Sequence, residues 1–153
     1  MWKTILCILI MKQIKLNGLL WDAENIKAYG YEHFDWESAC QLAADNGKRL
    51  PTIKELKDLY KLPNVWDSEK KGYSLSGREE DLMCPDNSLF LPAAGFRSNS
   101  NGQLYNSGIT GNYWSASTYG DFSFYFYFSG GNVIPANINS RAHGFSVRLV
   151  EDI

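Results

Sequence analysis

Cysteine, histidine and late charge are what this 153-residue sequence has least of. Its cysteines, Cys7, Cys40 and Cys84, follow no metal-ligand spacing, and His33 and His143 do not complete a set, which argues against a zinc site. The odd cysteine count argues against a closed disulfide framework. A Cys40–Cys84 bridge is open to that pair, but free buried thiols are the expected state. Net charge is −2 and the pI is near 5.7, so no basic footprint points to nucleic acid or an acidic membrane. Long apolar runs are missing too. Thr4 to Met11 is apolar and follows Met1-Trp2-Lys3, but it is too short to span a membrane. No small-residue cleavage site follows it, and Lys12 and Lys15 do. It reads as a strand, or as an extension ahead of a start at Met11, rather than as a secretory signal.

What is present divides in two. Most Lys, Asp and Glu precede Asp86, and Leu91 to Val150 contains no Lys or Glu at all. The length fits one domain over 1–153, able to bury roughly two thirds of its unfolded surface. Gln13-Ile14-Lys15-Leu16 alternates and runs into an Asn17-Gly18 turn. Leu19-Leu20-Trp21 and Tyr29-Gly30-Tyr31 read as short extended pieces. Phe34 to Ala43 predicts a helix capped by Asp35, with Trp36, Ala39, Cys40 and Ala43 on one face and Asn46-Gly47 as its stop. Thr52-Ile53-Lys54-Glu55 is a capping box opening a second helix, which buries Ile53, Leu56, Leu59 and Tyr60 and ends at Pro63. An irregular section follows, with a charged loop from Ser68 to Asp81.

From Leu89 the apolar period becomes two. Phe96 to Gly111 reads as loop, Tyr113 to Ser117 as strand, Asn132-Val133-Ile134 as a short piece, and Pro135 to Ser140 as loop. In Phe122 to Phe128, alternation predicts Phe124, Phe126 and Phe128 inside and Ser123, Tyr125 and Tyr127 outside. Phe145, Val147 and Leu149 alternate in a final strand, expected to pair with Ile14–Leu16. Between Leu91 and Val150 the Tyr, Asn, Ser and Gly content has the composition of a contact surface.

Asp35-Trp36-Glu37-Ser38-Ala39-Cys40 followed by Gly47-Lys48-Arg49-Leu50-Pro51-Thr52-Ile53-Lys54-Glu55-Leu56 resembles a segment of formylglycine-generating-enzyme-like domains, a branch of the C-type lectin fold. Arg141 to Val150 is similar to that family's close. LPAAGFR, GNYWSAS, YFYFSGGNV and RAHGFSVRLV resemble still more closely the Fibrobacter-type major paralogous domain and the variable proteins of diversity-generating retroelements. The resemblance covers about Leu19 to Val150. It implies an α+β, C-type lectin-like fold: two helices on a small irregular mixed sheet, paired termini and long loops that present a ligand. It also implies a scaffold of Trp21, Trp36, Leu42, Leu50, Leu56, Trp66, Trp114, Phe126, Phe128, Phe145 and Val147.

Enzyme chemistry is not expected. The formylglycine-generating enzyme uses a cysteine pair late in the domain to hold copper, and this chain has no cysteine after Cys84. No Ser-His-Asp set is visible, and the late carboxylates, Asp121 and Glu151-Asp152, are too few for acid–base pairing. His143 reads as a surface contact. Sugar-binding C-type lectins carry acidic calcium ligands where this chain reads Tyr113-Trp114-Ser115-Ala116. No metal or cofactor is assigned, with a structural calcium near Asp81 and Asp86 left open.

In retroelement variable proteins, codons are altered at adenines. The outcomes include Asn, Tyr, Ser, Thr, Ile, Phe, Ala, Asp, Gly and His, but never Lys, Glu, Gln, Met or Trp. From Asn106 to His143 the chain has no Lys, Glu, Gln or Met, and its one Trp, Trp114, lies in the scaffold motif. The expected contact residues are Tyr105, Asn112, Thr118, Tyr119, Asp121, Phe122, Ser123, Tyr125, Tyr127, Asn132, Ile134, Ala136, Ile138 and His143, within a variable-looking region at 91–150. The ligand would be a protein or a glycan, recognised by a bacterial or phage protein. The alternative is a cell-surface adhesin or glycan-binding module that is not diversified.

Overall fold

Asn17 and Gly18 close the first hairpin. In the computed structural model, which describes residues 12–153, both take positive φ, 57° and 81°, the backbone that joins two twisted strands tightly. They link β1 (Gln13–Leu16) to β2 (Leu19–Asp22). The strand, extension or signal expected over 1–11 lies outside the described residues. Tyr29-Gly30, expected to be extended, is instead a turn of positive φ closed by backbone bonds between Ala28 and Tyr31.

Two helices follow, each started as its sequence predicts. Asp35 caps α1 (Trp36–Asp45) by accepting the Ser38 amide at 2.8 Å. The Thr52–Glu55 capping box opens α2 (Ile53–Tyr60). Their connector is fastened by Arg49, which donates to both Glu55 carboxylate oxygens at 2.8 and 2.9 Å and to Asp152.

Within the expected charged loop, Ser68 to Asp81, lies β4 (Gly72–Ser76), which pairs antiparallel with β3 (Asn64–Asp67) before it and β5 (Ser88–Pro92) after it. Buried Ser74 and Ser76 hide β4 from an apolar pattern. Their hydroxyls donate to the Leu82 and Arg78 carbonyls, which satisfies them without water. The expected loop after Phe96 contains a small hairpin, β6 (Phe96–Arg97) and β7 (Leu104–Tyr105).

The main sheet has the order β10–β9–β8, with β8 (Thr110–Tyr119), β9 (Phe122–Ser129) and β10 (Asn132–Ser140). β10 continues through Pro135 to Ser140, which the sequence reads as loop. Proline donates no ladder bond, and the register shifts by one residue between Ile134 and Asn137, so Pro135 sits in a bulge rather than ending the strand. At the C-terminus, β11 (Val150–Asp152) pairs with β2 and not with β1 as expected. β1 already occupies the other edge of β2. The two ends of the described chain therefore share one sheet.

Over the described residues the protein is α+β, with two α-helices and several small antiparallel sheets. Its main sheet is covered on both faces. On one, Tyr113, Phe126 and Phe128 join Leu56 and Leu59 of α2 in a core that also takes in Trp21 and Leu89. On the other, Trp114 and Tyr125 join Ala39 and Ala43 of α1, together with Phe145, Val147 and Leu149. Of the expected scaffold, Trp36, Leu42 and Trp66 are half-buried against these cores and the other eight residues are buried.

Candidate ligand-binding face

Because both faces of the sheet are covered, inside and outside cannot be assigned by alternation alone along β9. Tyr125 is buried against Phe145, and Ser123 is wholly buried, its Oγ accepting from Arg141 Nε at 3.0 Å. Asn112 is also buried and accepts from the Thr110 hydroxyl. These three expected contact residues belong to the scaffold. Burial pushes the Tyr125 phenol above its ordinary value. Tyr127 is half-buried against the second core, and Phe124, expected inside, is half-exposed.

The remaining expected residues reach the surface in two groups. The first is at the β8–β9 turn, where Gly120 takes φ 56° and Asp121 completes a two-residue connection between the paired Tyr119 and Phe122. Ile138 lies opposite Phe124, and the Tyr119 and Phe124 rings meet edge-on at 5.7 Å. Directly paired residues share a sheet face, so Tyr119, Phe122, Phe124 and Ile138 form one apolar patch beside exposed Asp121, while exposed Thr118, paired with Ser123, lies on the opposite face. Arg141 braces this turn. Its guanidinium donates to the Gly120 and Phe122 carbonyls and lies 4.7 Å over the Trp36 ring. The sequence offers no signal for this role beyond a lone cation in a neutral stretch.

The second group faces the other way. The bulge at Pro135 and half-buried Ala136 changes the parity of β10, so Ile134 pairs with Tyr127 while Ile138 pairs with Phe124. Ile134 and exposed Asn132 thus belong to the Tyr127 face. On the β6–β7 hairpin, Tyr105 stacks on Phe96 at 5.8 Å. Half-buried His143 stacks on Phe145 at 5.8 Å and meets Phe96 edge-on at 6.1 Å.

Among the described residues, seven of the eleven exposed large hydrophobic side chains fall between Leu104 and Ile138: Leu104, Tyr105, Ile109, Tyr119, Phe122, Ile134 and Ile138. β10 is the outer strand of the sheet, yet its edge is partly closed. The Asn137 and Asn139 side-chain oxygens accept the amides of Ile138 and Ser140 at 3.0 and 2.8 Å, and Pro135 has no amide to offer. This edge is poorly suited to receiving another strand.

Among the described residues, no cluster of three or more His, Cys, Asp and Glu side chains could hold a metal. Asp81 and Asp86 are instead paired with Arg78 and Lys12. Cys40 and Cys84 are free thiols, half-buried rather than buried. No helix among the described residues is long and apolar enough to cross a membrane. A cavity of about 390 Å³, lined by Asn25, Phe90, Pro92 and Arg148 among others, shares no residue with the face.

A family model described as a domain of unknown function (DUF8237) matches residues 66–150, more than half of the chain and the whole of the face. No curated protein and no solved structure matches it.

Proposed function

The chain belongs to the family of the domain of unknown function DUF8237, and we propose that it is a target-recognition module of C-type lectin-like fold whose C-terminal surface is diversified by a retroelement. The observation that carries this reading is the separation of layers. Tyr119, Phe122, Ile134 and Ile138 are exposed on a sheet whose strands β8 and β9 bury Tyr113, Trp114, Tyr125, Phe126 and Phe128. An apolar surface of this kind marks an interaction site. Exposed side chains over a doubly packed sheet can change with little effect on the fold. The lectin-like part of the reading is supported by the shared terminal sheet and by the position of the Arg49-Leu50-Pro51-Thr52 segment. There Pro51 accepts the Ala116 amide and Ser117 accepts the Ile53 amide. The ligand is a protein or a glycan. No catalytic role is assigned to the face.

A second reading, an adhesin or glycan-binding module that is not diversified, is favoured by the burial of Asn112, Ser123 and Tyr125. These residues fit the adenine palette yet belong to the interior. The neighbouring DNA distinguishes the two. Diversification requires a near-copy of the segment encoding roughly 111–150 beside a reverse transcriptase gene. Differences should fall at adenines, in codons such as 119, 122, 134 and 138 and not in 112, 123 or 125. A locus without the copy and the reverse transcriptase leaves only the second reading.

A further inference from the structure

The two histidines take opposite hydrogen-bonding roles, His33 as donor and His143 as acceptor. His33 Nε2 lies 2.8 Å from the Ala94 carbonyl oxygen. A carbonyl can only accept, so this nitrogen carries a proton, and a second proton on the ring leaves the bond intact. At His143 the partner is a donor: the Asn99 amide points at Nδ1, 3.2 Å away. Nδ1 must then be bare and the ring neutral, with its proton on Nε2. A second proton would enter at Nδ1 and set N–H against N–H.

What this bond holds is the 98–103 connection between β6 and β7. Its base has bonds of its own, from Ser98 to the Gln103 carbonyl, from Gly102 to Ser98, and from Arg97 Nη1 to the Gly102 carbonyl. Within the tip, Ser98 Oγ accepts the Ser100 amide and Asn101 Oδ1 accepts the Gln103 amide. The tip is tied outward where the Asn99 amide bonds His143 and Asn101 Nδ2 donates to the Tyr105 hydroxyl at 2.8 Å. The link from His143 therefore runs through the loop tip to an exposed aromatic of the face. The charged or titratable groups near His143 are Arg97 and His33, both beside Gly144, Tyr105, whose ring shares Phe96 as a neighbour with His143, and Arg141 two residues upstream. No carboxylate pairs with His143 among the described residues.

We propose that His143 is a proton-operated latch on the 98–103 loop. The neutral ring holds Asn99 and keeps the loop and Tyr105 in the contact face, and protonation releases them. The functional consequence rests on the ligand-binding reading above. The latch itself is testable on the free chain, so its failure and the failure of that reading are distinguishable.

The test is an NMR titration of the whole chain from about pH 8 to about pH 5, the range in which histidines change charge. The His143 ring nitrogens and the backbone amides of residues 98–105 are followed in the parent, His143→Asn and His143→Ala. Asn offers a neutral acceptor near the position of Nδ1. In the parent, the Asn99 amide should move with the midpoint of the His143 ring, and its exchange protection should fall roughly fivefold, the loss of one hydrogen bond. In His143→Asn the amide should stay near its latched position throughout, and in His143→Ala it should be released at both ends. An Asn99 amide that stays flat while the ring titrates, a ring that does not titrate in this range, or the same titration in His143→Asn overturns the proposal.

Discussion

The Tyr125 ring lies against Phe145 with centroids 4.6 Å apart, and its hydroxyl accepts from Asn137 Nδ2 at 3.0 Å. One residue of the strand that resembles a contact surface is therefore a core residue with a polar end reaching β10. Tyr125→Phe removes only the hydrogen bond and should lower stability by about 1 kcal/mol. Tyr125→Ala opens a cavity beside Trp114 and should lower it by roughly 3–5 kcal/mol. Equilibrium urea unfolding checks both.

Acid should weaken the bracket around α2. Hydrogen bonds from Arg49 and from the Thr52 amide hold the Glu55 carboxyl below its ordinary value of 4.5. A depressed folded pKa contributes stability that is full above the unfolded value and is lost as pH falls through the folded one. The urea midpoint of Glu55→Gln should thus lie below the parent's near neutral pH, and the gap should close in acid below 4.5. A gap that stays constant would mean that the carboxylate's charge contributes nothing.

Alkali should act on Tyr113. Burial pushes its phenol up to about 12 from 10.0, while its hydroxyl donates to the Pro92 carbonyl at 2.7 Å and accepts from Asn25. A raised folded pKa contributes stability that is present below the unfolded value and lost as pH rises toward the folded one. Between 10.0 and about 12 the parent should therefore lose stability faster than Tyr113→Phe. Unfolding followed by circular dichroism across that range reads the difference.

Gly111 has no room for a side chain. A Cβ there would lie 2.1 Å from the Phe128 ring, which its cross-strand pairing places over it. Gly111→Ala should destabilise by about 1–3 kcal/mol through overpacking, measured by thermal unfolding. Gly131→Ala meets nothing within 4 Å and serves as the control.

Local chemistry was readable from the sequence because it needs only neighbours. The Asn17-Gly18 turn, the Asp35 cap and the Thr52–Glu55 box each depend on residues no more than three apart. Tyr125 and Ser123 were misassigned because alternation marks two faces without saying whether water meets either, and here α1 and the Phe145 segment cover the second. Serine hydroxyls bonded to carbonyls concealed β4. A one-residue bulge at Pro135 concealed the strand character of β10 and divided Ile134 from Ile138. Eleven of the fourteen expected contact residues reach the surface wholly or in part. Those on the main sheet lie on its two sides, which depends on pairing register that composition does not carry.

In the proposed function a substitutable layer lies over a fixed scaffold. That arrangement is tested most directly by the unfolding free energy of a single chain carrying Tyr119→Ser, Phe122→Ser, Asn132→Ser, Ile134→Ser and Ile138→Ser, set beside Tyr125→Ser alone. Exposed substitutions each change stability by at most about 0.5 kcal/mol. The five-site chain should therefore keep one cooperative transition within roughly 2 kcal/mol of the parent, while Tyr125→Ser alone should lose more. A five-site chain that fails to fold, or that loses more than Tyr125→Ser, would contradict the account.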